Sequence, residues 1–308
     1  MPESPYIAIV GAATIDLTGF ARQPLRYEDS NPGSLKVSIG GVGRNIAENL
    51  ARLGLSTRLI CAIGDDIYGD LIQSSCQEIG IDIQDSLFLK NRESPIYLSI
   101  LDDKNDLALG LSAMDICEEM DVAFIRQKEP LIRQASLAVL DTNVPEEVLS
   151  DVVRRVPSQR YFLDTVDGGK ALRARNILSS LFLIKTNVLE AEILSGIKIA
   201  NADNLKDAAS FFHEAGVDKV FITRGEQGVF YSGEGVAEAV DSEKVAPVNT
   251  NGAGDAFTAG LIYAYCQGMA FRQWARVGMA CAKITIAHEN TVNPEISEKQ
   301  ILSLNNGK

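Results

Sequence analysis

The sequence predicts an α/β fold in which a mostly parallel β-sheet is covered by helices on both faces. Three observations predict it: short apolar runs rich in β-branched residues, stretches of helical spacing between them, and glycine or polar residues where the patterns meet. Strands that alternate with helices pair in parallel, because each helix returns the chain to the same end of the sheet. No repeat, low-complexity tract or long linker interrupts the alternation, so we expect one domain over residues 1–308.

The elements of this alternation can be placed along the chain. The apolar run 6–10 predicts a buried first strand that ends at Gly11, with Asp16 just beyond it. The glycine-rich turn 40–43 leads into a helix over 44–53, which Gly54 ends. Further strands are predicted over 57–63, 135–141, 160–164, 181–185 and 219–223, and further helices over 68–80, 145–155, 189–194 and 205–215.

Two segments depart from this pattern. Residues 17–39 are irregular and contain prolines, so we expect a peripheral flap there. Residues 95–112 alternate apolar and polar positions around a polar turn, which predicts a hairpin with one apolar face. Together the two segments predict a small β-sheet lid over the mouth of the main domain. The apolar side of this lid predicts a homodimer.

Composition excludes several classes of partner. The chain has 41 acidic and 29 basic residues, a net charge of -12 that opposes binding to nucleic acid or anionic membrane surfaces. It shows neither an apolar leader nor a membrane-length run, and its five cysteines lack the Cys-x-x-Cys spacing, so we expect a cytoplasmic protein with reduced thiols. The two histidines offer little material for a histidine-based metal site.

The most informative segment contains Gly252, Ala253, Gly254 and Asp255, followed by an apolar helical run. Small residues at a helix start let backbone N–H groups approach an anion, and the helix dipole favours negative charge there. Such a start can hold a transferring phosphoryl group, and Asp255 can accept the proton of an attacking hydroxyl. The alternative interpretation is an ordinary helix start with Asp255 as a capping residue.

Two later segments follow apolar strands, where open α/β sheets bind ligands. Asn187 and Glu190 can organise a magnesium ion directly or through water, or they can form a helix capping box; the two roles are compatible. In the other segment, Thr223, Gly225 and Gly228 allow close approach of the backbone to phosphate or ribose, and a plain hairpin turn is the alternative.

The early part of the chain predicts a site for a polyhydroxyl ligand. Gly40 and Gly41 permit close backbone approach, and Asn45 can reach hydroxyl groups from the first helical turn. Asp16 suits a sugar diol, although a solvated turn residue is an open alternative, and Asn143 carries the same ambiguity. The spacings of the dinucleotide-binding loop and of the Gly-x-x-x-x-Gly-Lys-Ser/Thr loop are both absent from the sequence.

Taken in order, these segments resemble the motifs of the PfkB, or ribokinase-like, family of carbohydrate and nucleoside kinases. The chain carries an early Asp, a Gly-Gly-x-x-x-Asn element, Asn-x-x-Glu, Thr-x-Gly-x-x-Gly and a late Gly-Ala-Gly-Asp. The resemblance covers nearly the full length. It implies a three-layer α/β/α ribokinase-like domain with a small β-sheet lid, ATP with Mg²⁺, and a sugar or nucleoside hydroxyl as the acceptor.

The resemblance also implies a role for each matching residue. Asp255 is the base that deprotonates the acceptor hydroxyl, and Gly252, Ala253 and Gly254 form an anion hole. The remaining matches are Asn187 and Glu190 for magnesium, Asn187, Thr223, Gly225, Gly228, Asn251, Gly252 and Gly254 for ATP, and Asp16, Gly40, Gly41, Asn45 and Asn143 for the acceptor.

Within the family, the segment 27–33, with Asp29 and Asn31, is most similar to the pseudouridine kinases, as is the run that follows Gly40. This implies the 5′ hydroxyl of pseudouridine as the acceptor and adds Asp29 and Asn31 to the acceptor site. Kinases of ribose, adenosine, inosine or 2-keto-3-deoxygluconate remain alternatives, as does a non-catalytic nucleoside-binding protein. The family motif begins with Asp where this chain has Asn249, so the resemblance does not imply strong activation by potassium.

Overall fold

The computed structural model describes residues 5–243 and 245–305 and contains three β-sheets. The largest has eight strands in the order β14-β13-β12-β11-β10-β9-β1-β4. Its six strands from β12 to β4 run parallel, whereas β13 and β14 extend it as antiparallel edge strands. The strands are β1 Ile7–Val10, β2 Thr14–Ala21, β3 Gly33–Gly40, β4 Thr57–Ile60, β5 Ala62–Gly64, β6 Leu87–Leu89, β7 Ile96–Leu101, β8 Leu107–Ala113, β9 Leu137–Asp141, β10 Tyr161–Asp164, β11 Leu181–Asn187, β12 Lys219–Thr223, β13 Val229–Gly233 and β14 Val236–Val240.

Helices cover both faces of the large sheet. Alternate residues of β1 enter different cores: Ile7 and Ile9 pack with helices α1, α9 and α10, whereas Ala8 and Val10 pack with α5 and α8. The helices are α1 Val42–Arg52, α2 Ile67–Ile79, α3 Val122–Gln127, α4 Glu129–Gln134, α5 Glu146–Arg155, α6 Gly168–Ala171, α7 Val188–Ser195, α8 Ala202–Glu214, α9 Ala253–Cys266, α10 Phe271–Ile286 and α11 Glu298–Asn305. This arrangement confirms the predicted three-layer α/β/α fold.

A second sheet of four strands, in the order β3-β2-β7-β8, forms the predicted lid. The predicted hairpin is present as β7 and β8, and its turn is held by Asp102, whose carboxylate accepts hydrogen bonds from the Lys104 and Asp106 N–H groups. The inner end of the lid packs on the main core through Ile15, Leu17 and Ile39. The assignment of the whole chain to one domain stays a prediction.

Three details differ from the sequence-based expectations. The segment 17–39 was expected to be irregular, but most of it lies in β2 and β3, because its prolines fall in the connection between these strands. Asp16 lies inside β2 rather than in a turn after the first strand, since the chain re-enters a strand at Thr14. The predicted strand 57–63 is divided into β4 and β5, which belong to different sheets.

Candidate active site

The catalytic base predicted from the sequence lies at the start of α9. This helix begins at Ala253, and no side chain caps its N-terminus. The first N–H groups of a helix have no partners inside it, so this end can receive an anion. Asp255 lies in the first turn and is 9% exposed, and Asn45 Nδ2 donates a hydrogen bond of 2.8 Å to its Oδ2 atom. The structure thus joins two predicted site residues that are 210 positions apart.

Glycine is required at the N-cap of α9 for a steric and a conformational reason. Gly252 has φ +78°, in the left-handed region, and a Cβ atom there would lie 2.0 Å from the Thr291 carbonyl oxygen. A Cβ atom on Gly254 would lie 2.9 Å from Lys185 Nζ. Larger residues would therefore displace the helix start or its neighbours.

The surroundings of Asp255 favour its neutral form. Burial raises the pKa of Asp255 to about 7, with a further upward contribution from the Asp164 carboxylate. The Lys185 ammonium and the Asn45 hydrogen bond act in the opposite direction. A carboxyl group with a pKa near neutrality suits a general base, because it can both accept and release a proton.

A buried carboxylate that the sequence analysis missed lies beside the predicted acceptor residues. Asp141 ends β9, next to β1, where the strand order of the sheet reverses and α/β folds bind ligands. Its carboxylate accepts hydrogen bonds from the backbone N–H groups of Ala12, Gly43 and Asn143 at 2.8–2.9 Å. Burial raises the pKa of Asp141 to about 6, and the hydrogen bonds from the Ala12 and Asn143 N–H groups oppose the rise. In the sequence, the signal that could have identified Asp141 was a single acidic residue at the end of a predicted strand.

The turn before α1 brings its backbone close to β1 and β2. Gly41 has φ +93°, and a Cβ atom there would lie 2.5 Å from the Ala12 carbonyl oxygen. A Cβ atom on Gly40 would lie 2.2 Å from the Asp16 carboxylate, so the absence of a side chain at Gly40 makes room for Asp16. Thr14 Oγ1 donates to Asp16 Oδ1 at 2.9 Å, and burial raises the pKa of Asp16.

The other predicted acceptor residues differ in their surroundings. Asn143 is buried, and its Oδ1 atom accepts a 2.7 Å hydrogen bond from Lys170 Nζ. Asp29 and Asn31 are exposed and contact their own loop: Asp29 Oδ1 accepts from the Ser30 N–H group, and Asn31 Oδ1 accepts from the Arg26 N–H group. In the described part of the chain, these contacts do not connect Asp29 or Asn31 to Asp255.

The candidate magnesium residues form the capping box of α7. Asn187 Oδ1 accepts from the Glu190 N–H group, and Glu190 accepts from the Asn187 N–H group and from Thr165 Oγ1 at 2.6 Å. Glu190 is 1% exposed. Among residues 5–243 and 245–305, no group of three acidic, His or Cys side chains could hold a metal ion. Because Mg²⁺ usually keeps several waters and binds substrate phosphates, this pair fits a role through water.

The predicted nucleotide loop is the connection between the antiparallel strands β12 and β13, so the hairpin interpretation is confirmed as its structure. Thr223 Oγ1 donates to the Thr186 carbonyl oxygen at 3.2 Å, which ties the loop to the end of β11. Gly228 has φ +90°, and a Cβ atom there would lie 2.0 Å from the Val240 carbonyl oxygen. Gly225 also has a positive φ, with open space where a side chain would be.

The loop before α9 is held by Asn249, the position that departs from the family motif. Asn249 Oδ1 accepts from the Asn251 N–H group at 3.0 Å, and Asn249 Nδ2 donates to the Glu289 carbonyl oxygen at 3.0 Å. Lys36 of the lid donates to the same carbonyl oxygen at 2.8 Å. The amide of Asn249 therefore joins two loops directly.

A buried carboxyl group beside an uncapped helix start, at the carboxyl ends of parallel strands and under a β-sheet lid, defines a kinase of the ribokinase-like fold. The chain belongs to the pfkB family of carbohydrate kinases, whose family model matches residues 4–298.

Individual relatives support this assignment. The pseudouridine kinase of Escherichia coli strain K12 is 34% identical over 99% of this chain and 97% of its own length. The ribokinase of Haemophilus influenzae is 28% identical over 82% of each chain. The structure of Arabidopsis thaliana ribokinase complexed with ribose and ATP superposes with a TM-score of 0.86 at 20% identity, over 99% of this chain and 100% of the other.

In the part of the chain that the structure describes, no helix combines the length and apolar character needed to cross a membrane.

Proposed function

We propose that this kinase transfers the γ-phosphoryl group of ATP to the 5′ hydroxyl of a nucleoside, and that the nucleoside is pseudouridine. The observation that carries the proposal is the contact between Asn45 and Asp255, which brings the acceptor-site turn to the base. The similarity of nearly the whole chain to a pseudouridine kinase supports the choice of acceptor. We place the reaction in the cytoplasm.

The proposed reaction is an in-line displacement at phosphorus. Asp255 accepts the proton of the acceptor hydroxyl as that oxygen forms a bond to the γ-phosphorus, and the bond from the γ-phosphorus to the bridging oxygen of ADP breaks. The N–H groups around Gly252, Ala253 and Gly254 face the negative charge of the transferring group. Because Asp255 is buried and its pKa is about 7, it is partly ionised at neutral pH and can take the proton.

The donor side follows from the hairpin loop and the start of α9. We assign ATP to Thr223, Gly225 and Gly228, with Asn187 and Asn251 beside its phosphates. When bound, Mg²⁺ would neutralise charge on the phosphates, and Asn187 and Glu190 would hold it through water. Asn249 bridges its loops with a neutral amide, so the proposal does not call on potassium.

On the acceptor side, the polar groups suit a ribose. The Asp16 carboxylate is a partner for a sugar diol, and the lack of side chains at Gly40 and Gly41 lets the turn before α1 pack closely beside it. Asn45 lies between this turn and Asp255, and Asn143 lies just after the end of β9. Asp29 and Asn31 lie in the exposed connection between β2 and β3. We propose that they reach the nucleobase of the acceptor when the lid closes.

We also propose that two copies pair through the lid. Its paired positions form apolar rows across all strands, one of which contains Val37, Leu17, Leu98 and Leu111. Outer members of these rows are exposed large side chains, with 59% of Leu111 and 50% of Val37 accessible. Covering such a face removes apolar surface from water, which favours association.

The test is ATP consumption by the purified full-length chain with pseudouridine, uridine, adenosine, inosine, ribose and 2-keto-3-deoxygluconate, with the product located by ³¹P NMR. We expect the highest kcat/KM with pseudouridine, about tenfold or more above that with uridine. The reason is that a site that hydrogen-bonds one nucleobase rejects an analogue that lacks the partner groups. A higher kcat/KM for ribose or another nucleoside would replace the acceptor assignment. Binding without ATP consumption would instead support the non-catalytic alternative.

A further inference from the structure

A buried lysine that the motifs do not include lies behind the start of α9. Lys185 is on β11 and is 6% exposed. Its Nζ atom is 3.2 Å and 3.1 Å from the two carboxylate oxygens of Asp164, at the end of β10. The 2.9 Å between this nitrogen and a Cβ atom built on Gly254 places the ammonium against the anion hole. A lysine is rarely buried without a specific use, because desolvation of its charge is costly.

Asp164 fixes the position of this ammonium. The Asp164 carboxylate is 1% exposed and accepts a 2.7 Å hydrogen bond from Thr258 Oγ1, one turn into α9. It also accepts from the Val166 N–H group at 3.1 Å, where Val166 has the unusual φ of +59°. Asp164 therefore joins three separate elements: its own loop, β11 through Lys185, and the helix that carries Asp255.

The charges around the ammonium are mostly negative. The carboxylates of Asp164, Glu190 and Asp255 face Lys185. Asp255 in turn faces the carboxylates of Asp141 and Asp164 as well as the Lys185 ammonium. The contact of Lys185 Nζ with both carboxylate oxygens of Asp164, at 3.2 Å and 3.1 Å, is the geometry of a buried ion pair. Lys185 is thus the positive charge that opposes the carboxylates around the base.

We propose that Lys185 is a positioning residue whose ammonium, held by Asp164 against Gly254, keeps Asp255 in its basic form and adds positive charge to the anion hole. The inference rests on the proposed phosphoryl transfer and deepens it. Lys185 acts through Asp255 and through the electrostatic field at the helix start, where a transferring phosphoryl group carries negative charge.

The test measures ionisation of Asp255 directly, by ¹³C NMR titration of aspartate carboxyl groups in the full-length protein without substrate. Asp255→Asn assigns the signal. Lys185→Met removes the positive charge, so we expect the apparent pKa of Asp255 to rise by about one unit. Asp164→Asn removes a negative charge, and we expect that pKa to fall by a similar amount. A purely structural role for Lys185 and Asp164 would not shift the pKa in opposite directions.

Turnover of the preferred acceptor supplies the second measurement. We expect Lys185→Met to lower kcat by on the order of 10²-fold, with the acidic limb of the pH profile displaced to higher pH. Lys219→Met is the matched control, because Lys219 is also a buried lysine but lies at the first residue of β12. We expect that control to keep kcat within about twofold of the original protein.

A double variant covers failure of the single variant to fold. Lys185→Met with Asp164→Asn removes both charges of the pair, which avoids an unpaired buried charge. We expect the pKa of Asp255 to lie between those of the single variants, while kcat stays low because the anion hole lacks its cation. Recovery of full kcat in the double variant would overturn the proposal, as would an unchanged pKa in both single variants.

These outcomes separate the two proposals. The NMR titration needs no acceptor, so it tests Lys185 even if none of the panel compounds is phosphorylated. If pseudouridine is phosphorylated and the pKa of Asp255 does not respond to Lys185, the proposed function stands and this inference falls.

Discussion

The site has two parts: a floor, which carries the buried carboxylates Asp141 and Asp255, and the four-stranded lid above it. These two parts are held together in different ways. On the floor, buried carboxylates accept hydrogen bonds from residues far away in sequence: Asp141 from Ala12 across 129 positions, and Asp255 from Asn45 across 210. In the connection between β2 and β3 of the lid, Asp29 and Asn31 are exposed and accept from residues at most five positions away.

This difference separates the part of the site proposed for phosphoryl transfer, the floor, from the part proposed to close over the acceptor, the lid. Buried groups with hydrogen-bond partners on distant elements keep their geometry, and burial also raises the pKa values of Asp141 and Asp255. An exposed loop with local hydrogen bonds can rearrange at low cost. The proposed base and anion hole therefore lie on rigid elements, whereas the lid supplies a surface that can move over a ligand.

The largest effect should come from the floor. Asp255→Asn removes the proposed base but retains an oxygen that can accept from Asn45, so we expect kcat to fall by on the order of 10²-fold or more with little change in ATP binding. Steady-state kinetics and calorimetric ATP titration check this. Asp103→Asn, in the exposed turn of the lid hairpin, is the control and should keep its kcat within about twofold. Undiminished turnover in Asp255→Asn would remove the distinction between floor and lid.

A second, smaller effect concerns the stability of the floor. Because the folded-state pKa of Asp255 is raised to about 7, the folded protein holds this proton more tightly than the unfolded chain does. The stability associated with that proton is present below the unfolded pKa of about 3.9 and is lost as the pH rises through about 7.

The Asp255→Asn variant cannot lose this proton. We therefore expect its free energy of unfolding to exceed that of the original protein by about 2 kcal/mol at pH 8, with a smaller difference at pH 5. Denaturant unfolding of both proteins at the two pH values measures the change. A difference that grows towards acidic pH would show that Asp255 is stabilised as a carboxylate, contrary to the electrostatics of the floor.

The smallest effect on chemistry should come from the lid. Leu109 is 58% exposed in an apolar row, and Leu109→Lys places a charge where the second copy would pack. We expect the variant to be a monomer by analytical ultracentrifugation, with KM for the acceptor raised less than about tenfold and kcat nearly unchanged. Leu302→Lys, on α11, is the control and should keep the assembly of the original protein. A loss of kcat as large as that of Asp255→Asn would contradict the separation.

Several predicted features depended on local patterns and were found. The alternation of strands and helices, the hairpin of β7 and β8 and the helix start before Asp255 all follow from spacing within a few residues. The breakers in 17–39 indicated an irregular flap because a proline in a strand and a proline in the turn after it look alike in the sequence. The structure resolves this ambiguity, since the regular parts pair in β2 and β3.

By itself, the sequence determined the class of fold and the residues that could handle phosphate, because helical and strand periodicity and small residues at a helix start act over short distances. Only the tertiary structure decided how these residues are charged and supported. Asp141 and Asp164 stand at the ends of two strands and Lys185 near the end of a third, and nothing in their local sequence shows which groups they face. Their pairing follows from the strand order, which brings distant carboxylates and one ammonium into the same buried space.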